Sequence, residues 1–261
     1  MLFGLPPSPS HDAARAHAPT LEKVLATALP GLRVEVAASY GALGDDLLAN
    51  RLSLAWAPPI VCARVEMAGG RVALRAVRGG VTAYRAGIVC RVGLEPDLAL
   101  APSLVAAWVH EDSAAGYLLA RSWLKQRKID AVHGFKRALF LGSYVAALQA
   151  VADGRADIAS VYASLDGAPQ HSTLDEIDDV LRAKLQIFAT TGETQTDGVV
   201  VAPHTNEDDG ARVVAAILEV ARSDEGARVM RKLLSCDELR PAPARSTSTA
   251  LRDLVTQERA R

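Results

Sequence analysis

Hydrophobic and polar residues along this chain switch between two spacings. Residues 32–37 alternate, the period of a half-buried strand, while 52–56 and 198–202 are nearly continuous apolar runs of strand length. Residues 1–5 and Leu185–Thr190 also read as strands. Glu207–Arg222 and Asp224–Leu234 read as helices, the first opening on Glu207-Asp208-Asp209, which suits the positive end of a helix dipole. Tyr40-Gly41 is expected in a loop, followed by a short helix over 42–49. Pro58-Pro59 stops the strand at 52–56, and because proline is tolerated in a first turn a helix is predicted over 60–67. Residues 71–78 and 81–92 form strands around Gly79-Gly80, joined by a turn or crossing between domains. The Pro/Ser/Thr-rich stretch 241–249 is read as a loop and 250–261 as a charged terminal helix. Strand and helix signals alternate throughout, the pattern of an α/β protein with a mostly parallel sheet.

Residues 107–162 repeat one local grammar. A strand ends in Ser113-Ala114-Ala115-Gly116-Tyr117, which opens a helix; a second strand ends in Phe140-Leu141-Gly142-Ser143-Tyr144, which opens an apolar helix, followed by Asp153-Gly154-Arg155-Ala156-Asp157 and another strand. A helix start offers backbone N–H groups without helical partners and a positive dipole end. Two such starts point to anion binding. Ser113 also suits a plain N-cap role.

Composition narrows the class. The chain has 261 residues, 49% of them hydrophobic, enough for one large or two smaller α/β domains. The net charge of −1 from 29 basic and 30 acidic residues gives no footprint for nucleic acid or an anionic membrane. Cys62, Cys90 and Cys236 are widely spaced and predict neither a disulfide framework nor a zinc site. His11, His17, His110, His133, His171 and His204 lack metal-ligand spacing, so no metal or cofactor is expected. Glu111-Asp112 reads as a solvated loop rather than an acid/base pair. Gly69-Gly70 and Gly79-Gly80 match no phosphate-loop or dinucleotide motif. No apolar run reaches about 18 residues, so no membrane insertion is expected. The start shows no secretory signal, so the chain as written is read as cytoplasmic; a longer N-terminus would make it periplasmic.

The segments Gly4-Leu5-Pro6-Pro7-Ser8, Ser39-Tyr40, Leu54-Ala55-Trp56-Ala57-Pro58-Pro59, Tyr84-Arg85-Ala86, Asp112 through Tyr117, Phe140 through Tyr144 and Gly154-Arg155-Ala156-Asp157 occur in the order of a known family. Over roughly residues 1–202 the chain resembles the phosphonate, phosphite and phosphate substrate-binding proteins of ABC importers. The resemblance implies a two-lobed, type 2 periplasmic-binding-protein-like α/β fold, each lobe a mixed, mostly parallel sheet flanked by helices. It divides the chain into 1–82 with 198–261, and 83–197, with hinge strands near 81–86 and 192–198.

A small oxyanion would lie in the cleft between lobes, held by Ser8, Tyr40, Pro58, Tyr84, Ser113, Ala114, Ala115, Gly116, Ser143, Tyr144 and Asp197, without catalytic residues. Implied partners are a small-molecule anion and an ABC permease and ATPase, with the protein a monomer. Three departures bear on the ligand. Ala114 and Ala115 stand where the family has hydroxyls, Tyr144 stands where it often has histidine, and 160–164 lacks the acid of aminoalkylphosphonate binders. Asp197 matches a carboxylate that can meet an amine. The pocket reads as one for a less charged or partly apolar molecule. The alternative is an enzyme on the same bilobal fold, such as a chorismate dehydratase-like lyase of menaquinone synthesis.

Overall fold

The first sheet begins with the chain itself. β1 (Leu2–Leu5) pairs in parallel with both β2 (Arg33–Val36) and β3 (Leu54–Ala57), and the crossovers are α1 (His11–Leu25) and α2 (Tyr40–Leu48). These coordinates are a computed structural model that describes residues 1–7, 11–165, 172–244 and 247–259. α3 (Pro59–Met67) leads from β3 to β4 (Arg71–Val77). Every residue of β3 is buried, as its unbroken apolar sequence requires of a central strand covered on both faces, whereas β2 at the edge alternates exposed and half-buried positions.

At Gly79 and Gly80 the chain leaves this sheet. Both residues have positive φ, 56° and 84°, a region only glycine enters without strain, and an isolated bridge between Arg78 and Val81 closes the turn. The chain crosses here, since β4 and the next strand belong to different sheets. The second sheet contains β5 (Ala83–Arg91), β6 (Val105–Trp108), β7 (Arg137–Phe140), β8 (Ile158–Ala163), β9 (Leu185–Thr190) and β10 (Thr194–Gln195), in the order β10-β5-β8-β6-β7 with β9 on β5. Its helices are α4 (Leu119–Gln126), α5 (Tyr144–Ala152) and the single turn α6 (Asp179–Arg182). The chain then returns to the first sheet through β11 (Gly198–Val201), α7 (Glu207–Arg222), α8 (Asp224–Leu234), β12 (Glu238–Pro241) and α9 (Thr249–Arg259), giving the order β12-β4-β11-β3-β1-β2.

Two compact units result: Met1–Thr82 with Gln195–Val255, and Ala83–Thr194 with the chain end from Thr256. The change on the return path falls at 194/195 rather than at 197/198, so Asp197 belongs to the first unit. Both sheets are mixed. Parallel pairing is less dominant than expected: in the first sheet it is confined to β2-β1-β3, because β11, β4 and β12 all join antiparallel. Three local expectations also change. α1 fills a stretch with no assigned element, β12 begins before the expected loop, and Tyr40 sits in the first turn of α2, because Ser39 caps that helix by accepting from the Ala42 N–H at 3.0 Å.

Each unit has its own core. The first gathers Phe3, Leu25, Leu54, Leu74, Val199 and Ile217; the second gathers Val89, Ala107, Leu148 and Val161. Arg75 on β4 is almost fully buried in the first, which is tolerable only with hydrogen-bonding partners. Its guanidinium donates to the Thr196 carbonyl at 2.7 Å and to Thr247 Oγ1 at 3.4 Å, while the Thr247 N–H donates to Glu66 at 3.1 Å. The C-terminal segment is thereby tied to the sheet.

Candidate functional site

In the second unit both hydroxyl-bearing turns stand at the ends of neighbouring parallel strands. Trp108 and Phe140 are register partners on β6 and β7, and the bonds Leu141 N–H to Trp108 O (2.9 Å) and Gly142 N–H to Val109 O (2.8 Å) hold the following loops together. After β6 the chain makes a wide π-helical turn, Ala114–Leu118, that runs into α4. Ser113 Oγ accepts from the Gly116 N–H at 3.2 Å, and Ser143 Oγ accepts from the Ala146 N–H at 3.2 Å at the start of α5. Both hydroxyls therefore cap their own helices. At each helix start the first-turn N–H groups have no preceding helical carbonyl to bond, as at Ala114, Ala115 and Val145.

Packing confines the turn at Ala115 and Gly116. Ala115 is buried, its carbonyl accepts from the fully buried Ser160 hydroxyl at 2.5 Å, and a Cβ on Gly116 would come within 2.5 Å of Val109 Cγ2. Ser160, which fixes this turn from β8, has no local sequence signal. Behind the turns lies an aromatic stack, Trp108 against Tyr117 at 5.8 Å and Tyr117 against Phe140 at 5.1 Å between ring centroids. Phe140 is 37% exposed and Val145 55%.

A further concavity of about 350 Å³ in this unit is lined by Glu111, Asp112, Tyr117, Arg121, Asp130 and His133. The His133 backbone N–H, with help from that of Val132 and the Arg121 charge, holds the Asp130 carboxyl below its usual range.

The first unit has a pocket of about 230 Å³. Tyr40 from the start of α2 and Pro58 from the start of α3 line it, together with Leu21, Trp56 and Leu233. Its charged lining consists of Arg78 and Asp197, with His17 beside them. Arg78 pairs with the Asp197 carboxylate and also donates to the carbonyls of Ser235 (2.8 Å) and Leu234 (3.2 Å) at the end of α8. Arg78 and His17 were absent from the sequence-based set.

The expected residues thus fall into groups. Tyr40, Pro58 and Asp197 line one pocket in the first unit; Ser113, Ala114, Ala115, Gly116, Ser143 and Tyr144 form the paired turns of the second. Tyr84 joins neither: it is a buried ring on β5, 5.2 Å from the Tyr162 ring on β8. Ser8 and His171 lie outside the described residues. The three cysteines are buried and free, and burial pushes the Cys62 and Cys236 thiols up to about 11. Among the described residues no cluster of three or more His, Cys, Asp or Glu side chains could hold a metal ion, and no helix is long and apolar enough to cross a membrane.

Residues 3–246 match the family described as the periplasmic substrate-binding protein of the phosphonate ABC transporter. The chain belongs to that family. Its members are substrate-binding proteins rather than enzymes, which sets aside the lyase alternative, and the family implies a small-molecule ligand and a permease partner. No curated protein sequence matches significantly. Solved structures share the fold at low identity. XAC2383 from Xanthomonas citri bound to ATP is 16% identical, with a TM-score of 0.79, covering 100% of this chain and 98% of its own. PhnD1 from Prochlorococcus marinus in complex with methylphosphonate is 17% identical, with a TM-score of 0.70 and coverage of 100% and 97%. The binding component of an ABC phosphonate transporter from Pseudomonas aeruginosa, PA3383, is 16% identical, with a TM-score of 0.70 and coverage of 98% and 84%.

Proposed function

We propose that this phosphonate-family binding protein holds a small phosphorus oxyanion non-covalently, as a monomer, for ABC-type import or for sensing. The paired turns at Ser113 and Ser143 carry the reading. Two helix starts at adjacent strand ends present backbone N–H groups and positive dipole ends, which suit an anion without any basic side chain. The bound state of PhnD1, with methylphosphonate, agrees with a compact ligand of this class.

A second ligand reading is a phosphate ester carrying a flat ring. The partly exposed Phe140, at the end of the strand that leads into the Ser143 turn, favours it, and XAC2383 is bound to ATP.

Thermal melting of the purified chain with phosphate, phosphite, methylphosphonate, ATP and small carboxylates tests both readings. A ligand present at 1,000 times its Kd contributes about 4.1 kcal/mol to the native state, a readily measured rise. The expected result is stabilisation by a compact phosphorus oxyanion. Stabilisation by ATP alone selects the second reading, and stabilisation by carboxylates alone, or by nothing in the series, overturns both.

A further inference from the structure

We infer that Ser160 is a positioning residue for the oxyanion: through the Ala115–Gly116 peptide it aims the Ser113 hydroxyl and strengthens it as a hydrogen-bond donor. The inference rests on the proposed oxyanion reading and adds to it a residue that itself touches no ligand.

Ser160 stands on β8 between Ala159 and Val161, and like them it is fully buried. A hydroxyl in such a place needs a hydrogen-bond partner, whereas an apolar side chain would need none. The partner it takes is the Ala115 carbonyl, at 2.5 Å, in the turn after β6. That carbonyl shares its peptide unit with the Gly116 N–H, which donates to Ser113 Oγ at 3.2 Å. A carbonyl only accepts and an amide N–H only donates, so the polarity of both bonds is fixed. The Ser113 hydroxyl, having accepted the Gly116 N–H, keeps its own proton to donate, and Ser113 is half-buried rather than closed off from a ligand. Ser160 O–H, the peptide and Ser113 O–H thus form one chain in which the donors all run toward Ser113. Away from water, hydrogen bonds in such a chain polarise and strengthen one another. The rest of the turn is held so that the chain keeps its aim. The Gly116 carbonyl accepts from the Val109 N–H at 3.2 Å, and the Leu118 N–H reaches back five residues to the Ser113 carbonyl at 2.9 Å, a π-helical pattern that recurs at functional sites.

Calorimetric titration with phosphate, phosphite and methylphosphonate tests the assignment, using the wild-type chain, S160A, S113A, S143A and the two double variants that contain S160A. S113A removes the last donor of the chain and is expected to weaken binding about tenfold or more, and S160A about threefold or more. In the S113A background S160A should cost no further affinity, whereas its cost should add in full to that of S143A, which removes the cap of the other turn. A Ser160 that serves packing alone would displace the backbone donors of its turn as well, and its loss would weaken binding equally in every background. S160C, close in volume but a weak donor, carries the test if S160A fails to fold by circular dichroism. Unchanged affinity in the Ser160 or Ser113 variants, or a Ser160 cost that persists in full without the Ser113 hydroxyl, overturns the role of Ser160 while leaving the oxyanion reading intact. No binding of any of the three ligands by wild type overturns the compact-oxyanion reading, and this assignment with it.

Discussion

The two units use the same local device, a strand that ends at a serine-capped helix, yet they surround it differently. In the first, the Ser39 cap and the Pro58 start face a pocket holding an Arg78–Asp197 ion pair. In the second, the Ser113 and Ser143 caps stand with an aromatic stack, and Glu111 and Asp112 precede the first of them. The repeated motif therefore does not itself specify a ligand. Backbone donors come with any helix start, and the side chains around each start arrive from elsewhere in the chain.

The comparison breaks most severely if the aromatic platform is removed. Trp108 is fully buried, and its indole N–H donates to the Ala131 carbonyl at 2.9 Å. Trp108→Ala is expected to destabilise the second unit by about 3–5 kcal/mol, leaving a cavity and an unmet acceptor. Hydrogen exchange resolved by segment checks it: protection should fall across β6, β7 and β8 before it falls across β1, β3 and β11. Equal loss in both units would mean that they do not unfold separately.

A smaller perturbation asks whether the caps are equivalent. Ser39→Ala and Ser143→Ala should each cost about 1 kcal/mol, since each hydroxyl accepts one first-turn N–H. Denaturant titration would show unequal costs if one hydroxyl does more than cap its helix.

The gentlest test uses pH, and its sign differs between the ends of the scale. Cys62 and Cys236 in the first unit ionise at about 11 when folded, against an ordinary value of 9.0, so their contribution is complete below 9.0 and is lost as pH rises from 9.0 to about 11. Burial raises Cys90 in the second unit in the same direction. Asp130 is lowered, so its contribution is present above its ordinary value of 3.8 and is lost as pH falls through its folded value. Melting temperatures from pH 8.5 to 11 should therefore fall less steeply in Cys62→Ala, and those below pH 4 less steeply in Asp130→Asn.

Much of the architecture was legible because helix and strand periods are local. Glu207–Arg222, Asp224–Leu234 and Leu185–Thr190 take the bounds their patterns suggest. α1 was not, since Pro19 and the alanines and histidines around it obscure the apolar stripe. β12 was hidden by its charged residues and Pro241, all tolerated because the strand lies at a sheet edge. For the candidate site the same division holds. The turns at Ser113 and Ser143 announce themselves in sequence, whereas Arg78 and Asp197 stand 119 positions apart and meet only through the fold. A sequence does not show which face of β5 the Tyr84 ring takes; the fold buries it 5.2 Å from the Tyr162 ring.

The strand order of the first sheet also has a consequence for synthesis on the ribosome. Every strand of the second sheet lies between Ala83 and Gln195, so that sheet can form while the chain is still growing. The first sheet is interrupted: β4 stays unpaired until β11 and β12, from Gly198–Val201 and Glu238–Pro241, have been made, and Arg75 waits longer still for Thr247. The half of the protein translated first is thus the last that can finish folding, and a nascent chain halted before residue 198 would expose the apolar edge of β3 to whatever else can bind it.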